Sequence, residues 1–368
     1  RLSVASATDA ANQVNKIIYY ERDIDESATW LSKGVGIGST EGNGHFGERD
    51  YQHIDFIRDT LMNYTYTQVA KIYEGVDNFY PDASDVSFVM NDGVGIVNYC
   101  NHGTQTSWVV SNFTTQDVNN LTNDNMLPFI WSSACYNGEF STNECFAESW
   151  LRSMNESTGA PAGAIGGMFS WISQPWIPPM YGQDEMNTIL TEWRPGYKHT
   201  LGGASVNGNQ YVLDMCPEDY GDTHNTWILF GDPSLMVRTD VPESMNVVAP
   251  STLVIGMSSM TVQANTEFGI ATLSLNNEVI ASANIVDGSV ELQFPELSAV
   301  GQYKLVVIGY NKVTEVKNIE VIPADGAFLI FDSYELNQED GQVDYNENIN
   351  DYTLYIVRYF LVFILFNL

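Results

Sequence analysis

Two segments of this chain end apolar, strand-like runs in residues able to do covalent chemistry. Asn98-Tyr99-Cys100-Asn101-His102-Gly103 closes on His-Gly, and Leu127-Pro128-Phe129-Ile130-Trp131-Ser132-Ser133-Ala134-Cys135 closes on Ala-Cys. If both runs are parallel strands of one sheet, their carboxyl ends share an edge, which is where open α/β folds place their ligands. Residues 114–125 supply the crossover, with Thr115 or Asp117 near a helix start and Val118 and Leu121 spaced for burial. A thiol at its ordinary pKa is a weak nucleophile at neutral pH, and a neighbouring imidazole activates it. His102 and Cys135 are therefore the candidate base and nucleophile, and the backbone N–H groups of Gly103 and Cys135 the candidate oxyanion hole. The same residue types also suit a buried core thiol and a packed histidine, so spacing alone leaves both readings open.

The elements that must position these groups follow from the pattern on either side. β-rich runs at 94–99, 127–134 and 162–169 alternate with helical patterns at 50–61, 145–154 and 183–193, and a further apolar run, 34–38, precedes Glu41. Such alternation predicts an α/β domain with a mostly parallel sheet flanked by helices. Asp50 stands where it would cap the helix that carries Ile54, Ile57 and Leu61 on one face. Beyond about residue 240, short strands separated by Asn276-Asn277 and Asp287-Gly288 predict an all-β sandwich. Residues 323–368 read as the start of a further module or an aberrant tail. The apolar stretch Tyr352–Leu368 is interrupted by Arg358 and falls short of the ~20 residues of a membrane helix.

Composition narrows the partners. With 46 acidic against 15 basic residues in 368, the net charge of −31 argues against nucleic acid and anionic membrane surfaces and favours cationic partners. Four cysteines are too few for a disulfide scaffold: Cys100 reads as a buried strand residue or a redox partner, Cys145 as core, and Cys216 as free or paired. His45, His53, His199 and His224 lack metal-ligand spacing and read as packed or surface residues.

His-Gly and Ala-Cys at strand ends, 33 residues apart from His102 to Cys135, resemble the caspase-like cysteine peptidases, and the wording around them is similar to the gingipain family. The similarity runs through Ile37-Gly38-Ser39-Thr40-Glu41-Gly42, Asp50-Tyr51-Gln52-His53, Leu127-Pro128-Phe129-Ile130, Tyr181-Gly182-Gln183-Asp184-Glu185-Met186-Asn187 and Phe230-Gly231-Asp232-Pro233-Ser234-Leu235, within residues 1–322. The resemblance implies a caspase-like catalytic domain at 31–240 followed by an immunoglobulin-like domain at 241–322. Residues 1–30 would be the end of the first half of the peptidase unit, so most of that half and a propeptide are expected to precede them.

The resemblance also implies roles. Cys135 would be the nucleophile, His102 the base and proton carrier, and Glu41 the carboxylate that orients the imidazole. Asp50 would lie at the base of a pocket for a basic side chain, arginine preferred, with Trp176 and Met180 in the segment that lids it. Catalysis would need no cofactor, although the acidic surface offers oxygen ligands for the structural calcium that the family often carries. The expected partners are protein or peptide substrates with basic residues and the chain's own propeptide, and the expected location is secreted or cell surface. A sortase-like transpeptidase and a catalytically degenerate binding module are the alternatives. One departure stands out: the family usually has glycine before His-Gly, and this chain has Asn101.

Overall fold

The two apolar runs become neighbouring central strands. The computed structural model describes residues 1–141, 143–192 and 199–324, which form two units; the first comprises Arg1–Ser244 and Tyr310–Thr314. It opens with α1 (Ala7–Ile18), β1 (Lys33–Ser39), α2 (Asp50–Tyr64), β2 (Gln68–Glu74), α3 (Ala83–Asp92) and β3 (Ile96–Cys100). Three two-residue strands follow, β4 (Gly103–Thr104), β5 (Ser107–Trp108) and β6 (Phe113–Thr114), then α4 (Thr115–Asn119), β7 (Phe129–Ser133), α5 (Phe146–Arg152) and β8 (Gly166–Ser170). The unit continues through α6 (Ile177–Thr191), α7 (Leu201–Met215), α8 (Asp222–Thr226) and β9 (Trp227–Phe230).

Six strands form one sheet in the order β2-β1-β3-β7-β8-β9. All pairs are parallel except β8 with β9. Every residue of β3 and β7 is buried. Val97, Tyr99 and Ile130 enter one apolar cluster with Trp108, Phe113, Phe146 and Trp150, whereas Ile96, Cys100, Phe129 and Trp131 enter the other with Ile54 and Ile57. Helices cover both faces, which is why these runs are apolar throughout instead of alternating.

The strand order reverses between β1 and β3: β1 leads outward to β2, while β3 leads the other way to β7 and β8. Such a switch point opens a crevice at the carboxyl ends. In the ladder Gly38 sits beside Cys100, and Cys100 beside Ser133, so the residues after each strand leave the sheet at one level.

Two elements differ from expectation. The crossover between β3 and β7 contains a small three-stranded sheet, β4-β5-β6, before a single short helix. That helix is capped by Thr114, whose hydroxyl accepts from the Asp117 N–H. The second difference is the start of α6 at Ile177, six residues before Gln183, because Pro178 and Pro179 occupy its first turn, where a missing N–H costs no helical bond.

The second unit spans Met245–Gly309 and the chain from Glu315. Its strands are β10 (Val247–Val248), β11 (Thr252–Val254), β12 (Ser259–Ala264), β13 (Phe268–Leu275), β14 (Glu278–Val286), β15 (Ser289–Gln293), β16 (Gly301–Gly309) and β17 (Glu315–Ile322). They sandwich a core that includes Val262, Leu273, Leu292, Leu305 and Ile319. Asn276 and Asn277 adopt φ of 51° and 68°, the left-handed pair that a two-residue hairpin turn requires. No helix among the described residues is long and apolar enough to cross a membrane. Trp193 and everything from residue 325, including most of the expected further module or tail, lie outside the described residues.

Candidate active site

The three strand ends deliver three reactive groups to one edge. Glu41 follows β1, His102 follows β3 and Cys135 follows β7. His102 Nε2 lies 3.1 Å from Glu41 Oε2, with both side chains at least half exposed. A pair that open to water contributes little to stability, so its physical effect is to orient the ring. The His102 carbonyl accepts from Tyr99 Oη at 2.6 Å and from the Val109 N–H at 3.1 Å, which fixes the loop beneath the imidazole.

Cys135 carries a free thiol, 3.8 Å from both Ser173 Oγ and the Gln174 carbonyl. It lines one cavity together with His102 and Trp176. The His102 and Cys135 loops touch: a Cβ placed on Gly103 would come within 2.8 Å of Ala134 Cβ and of the Cys135 carbonyl, so only glycine fits there. Tyr136, directly after the thiol, takes φ 57°, a left-handed conformation that costs energy in a bulky residue and turns the chain sharply.

Asn137 holds that turn and was not singled out by the sequence. Fully buried, it donates to the carbonyls of Thr104 at 2.6 Å and Ser107 at 3.0 Å and accepts from Ser132 Oγ at 2.9 Å. It thereby staples the thiol loop to the histidine loop. Gln183 does the same beneath the sheet. Its Nε2 donates to the Tyr99 and Trp131 carbonyls, and its Oε1 accepts from Ser133 Oγ.

Asp50 lies in the crevice between β1 and β3, fully buried. It is the first residue of α2 and not its cap: Arg49 holds the cap position, where its N–H donates to Gln52 Oε1 at 2.9 Å. The Asp50 carboxylate turns instead toward the site. Oδ2 accepts from Asn101 Nδ2 at 2.7 Å and Ser39 Oγ at 3.4 Å, and Oδ1 accepts from Trp176 Nε1 at 3.0 Å. Burial pushes this carboxyl up to about 6, against the opposing pull of the Asn101, Trp176 and Ser39 donors.

Trp176 immediately precedes α6, and its ring meets His102 edge-on at 4.9 Å. Met180 does not join it. It is fully buried in the apolar cluster with Met186 and Trp131, and Pro179 lines the cavity instead. The reason is the early start of α6, which makes Met180 an inward-facing helical residue instead of part of a lid. Of the other thiols, Cys100 lies at the wall of this same cavity. Cys145 and Cys216 are buried and free, and burial pushes the Cys100 thiol, 3% exposed, well above its usual range.

His45 and His53 are packed side chains that also belong to a second polar cluster. Their ring nitrogens and a Glu48 carboxylate oxygen lie within 4.8 Å of one another, the cluster of metal-ligand type found among the described residues. Asp184 closes it: His45 Nε2 is 3.1 Å from Asp184 Oδ2, and His53 Nδ1 is 3.6 Å from Asp184 Oδ1. Gln183 Nε2 is committed to carbonyl acceptors, so its Oε1, 3.0 Å from His53 Nε2, accepts the proton of that nitrogen. His53 Nδ1 is left with a lone pair facing carboxylates. His45 Nδ1, Glu48 Oε1 and His53 Nδ1 are all buried without a hydrogen bond, an arrangement that a divalent cation would satisfy. His45, Glu48 and His53 are close in sequence but lack a familiar metal-ligand spacing, and Asp184 is added from α6.

Residues 1–238 match Peptidase family C25, and residues 248–322 match the C-terminal ig-like domain of that family. The chain belongs to this peptidase family. It is 38% identical over 324 residues to Gingipain R1 of Porphyromonas gingivalis, an alignment covering 87% of this chain and 32% of that protein. Over 327 residues it is 38% identical to Gingipain R2 of the same species, covering 87% and 44%. The chain thus spans less than half the length of these curated relatives. The crystal structure of the Arg-specific cysteine proteinase gingipain R superposes with a TM-score of 0.83 at 37% identity, covering 88% of this chain and 74% of that one. The helix-flanked mixed sheet followed by a β-sandwich is therefore the family's fold.

Proposed function

We propose that this chain carries the catalytic groups of a secreted or cell-surface cysteine endopeptidase that cleaves after basic residues, arginine first. The observation that carries the reading is the meeting of a free thiol and a carboxylate-paired imidazole at one cavity, with a buried carboxylate behind it. Cys135, as thiolate, attacks the carbonyl carbon of the basic residue. The N–H groups of Gly103 and Cys135 hold the oxyanion, His102 protonates the leaving amine, and His102 then takes a proton from the water that releases the acyl group. Glu41 keeps the imidazole in place throughout, and Asp50 supplies the negative charge for the basic side chain.

Support comes from the family and from the names of the relatives, which are gingipains R, one of them described as Arg-specific. A complex of the pro- and mature domains of the Porphyromonas gingivalis protein, superposing at a TM-score of 0.83, supports a propeptide as a partner of this chain too. The net charge of −31 suits cationic substrates. Incubation with a peptidyl arginine chloromethyl ketone followed by mass spectrometry tests the reading. One adduct on Cys135 is expected, and a protein whose Cys135 stays unlabelled while denatured thiols react would refute it.

No cofactor enters the chemistry. His45, Glu48, His53 and Asp184 would hold a structural divalent cation that neutralises two carboxylates beside α2. Two imidazoles in the donor set favour zinc over the calcium expected from the acidic surface. Chelation with EDTA is expected to lower Tm by about 5 °C or more, recovering with added Zn²⁺. A Tm indifferent to chelator in both the parent and His45→Ala would remove the site.

A further inference from the structure

Asn101 stands between the catalytic loop and Asp50, where the family pattern has a residue without a side chain. Its Nδ2 uses both hydrogens inward, to Asp50 Oδ2 at 2.7 Å and to Ser39 Oγ at 2.9 Å. Its N–H donates to the Ser133 carbonyl at 3.3 Å, which ties it to β7, and it is 7% exposed. The Asp50 oxygens are both engaged, one by the Trp176 indole and the other by Asn101 and Ser39. The partly open cavity lined by Asn101, His102, Cys135 and Trp176 is narrow, with room for about one water molecule.

We propose that Asn101 is a specificity-determining residue: it occupies the Asp50 oxygen that a forked guanidinium would use and shortens the pocket, so that lysine is accepted nearly as well as arginine. The inference rests on the function proposed above. Arginine outcompetes lysine at a carboxylate chiefly when two parallel N–H···O bonds form. With Oδ2 taken by Asn101, Asp50 offers one side only, and the fork loses its second bond. The Asn101 carbonyl oxygen is then the polar atom its amide can still present to an entering head group, and an ammonium, with three rotatable donors, uses it as readily as a guanidinium does. Charge still selects basic over neutral side chains, because Asp50 is unchanged.

The test measures kcat/KM for a matched pair of fluorogenic peptides ending in arginine or lysine, and the binding of agmatine and cadaverine by calorimetry, for the parent chain, Asn101→Gly and Asn101→Ser. The parent is expected to favour arginine by less than about tenfold, and both variants to widen that ratio by about tenfold or more through KM, with agmatine gaining over cadaverine in step. A purely structural role would lower kcat for both peptides equally and leave the ratio where it was. An unchanged ratio in both peptides and both amines overturns the inference while leaving the peptidase reading intact. A parent that cleaves neither peptide and binds neither amine would instead remove the reading beneath it.

Discussion

Replacing Cys135 by alanine lowers kcat on an arginyl peptide by at least about 10⁴-fold while leaving Tm within a degree or two of the parent. The size follows from covalent catalysis: without the thiolate there is no acyl-enzyme, and what remains is binding and the oxyanion donors. No other thiol can take over. Cys100 is 3% exposed, and its burial holds it in the neutral form. Stability is spared because the Cys135 sulfur has only long contacts, at 3.8 Å, to Ser173 and Gln174. His102→Ala should cost about 10² to 10⁴ in kcat, and Glu41→Gln far less, since that carboxylate works through orientation in an exposed pair. Retention of more than a hundredth of parental kcat by Cys135→Ala would end the mechanism.

Asp50→Asn has the second largest expected effect and acts on selection instead of chemistry. Loss of the buried negative charge should lower kcat/KM for basic substrates by about 10²-fold or more, mainly through KM, while Cys135 still reacts with a small neutral alkylating agent. The pH dependence distinguishes this from general damage. The Asp50 carboxyl is pushed up to about 6 by burial, so the parent loses affinity for basic side chains as pH falls through 6, and the variant shows no such limb.

Stability moves in the opposite direction. A carboxyl raised in the folded state stabilises fully below its unfolded pKa, and that contribution is lost as pH rises from about 4 through 6. At neutral pH the parent therefore carries a cost on the order of 3 kcal/mol that asparagine does not. Asp50→Asn should be the more stable protein at pH 7.5 and lose that advantage at pH 4. Urea denaturation at the two pH values measures it, and a variant less stable at pH 7.5 would show that Asp50 is not strained by burial.

The parallel strand ends were legible because β3 and β7 are buried on both faces and so leave unbroken apolar runs, each closing on a residue with chemistry in it. The β-sandwich was legible from its turns, where Asn276-Asn277 and Asp287-Gly288 meet a backbone requirement that few residue types satisfy. Met180 was misplaced because a Pro-Pro pair reads as loop, whereas at a helix start it is compatible with the first turn. His45, Glu48 and His53 lie within one nine-residue stretch but in no familiar metal-ligand spacing, and Asp184 joins them only when α6 packs against α2. Asn101 could be noticed as a departure, but its bonds to Asp50 and Ser39 depend on how close β1 and β3 lie at their ends, and no local pattern encodes that.

The reversal of strand order between β1 and β3 has a consequence for how such a site can change. In the proposed mechanism the bond-breaking groups, Cys135 and His102, follow β7 and β3, while the charge proposed to choose the substrate, Asp50, lies across the gap toward β1. Appetite and teeth are therefore mounted on opposite banks of one crevice. Substitutions around Asp50 on the β1 bank are expected to retune which side chain is admitted, provided Glu41, which pairs with the imidazole, is kept. Asn101 is the exception, since it directly precedes His102, and any redesign of preference through that position must keep the imidazole still.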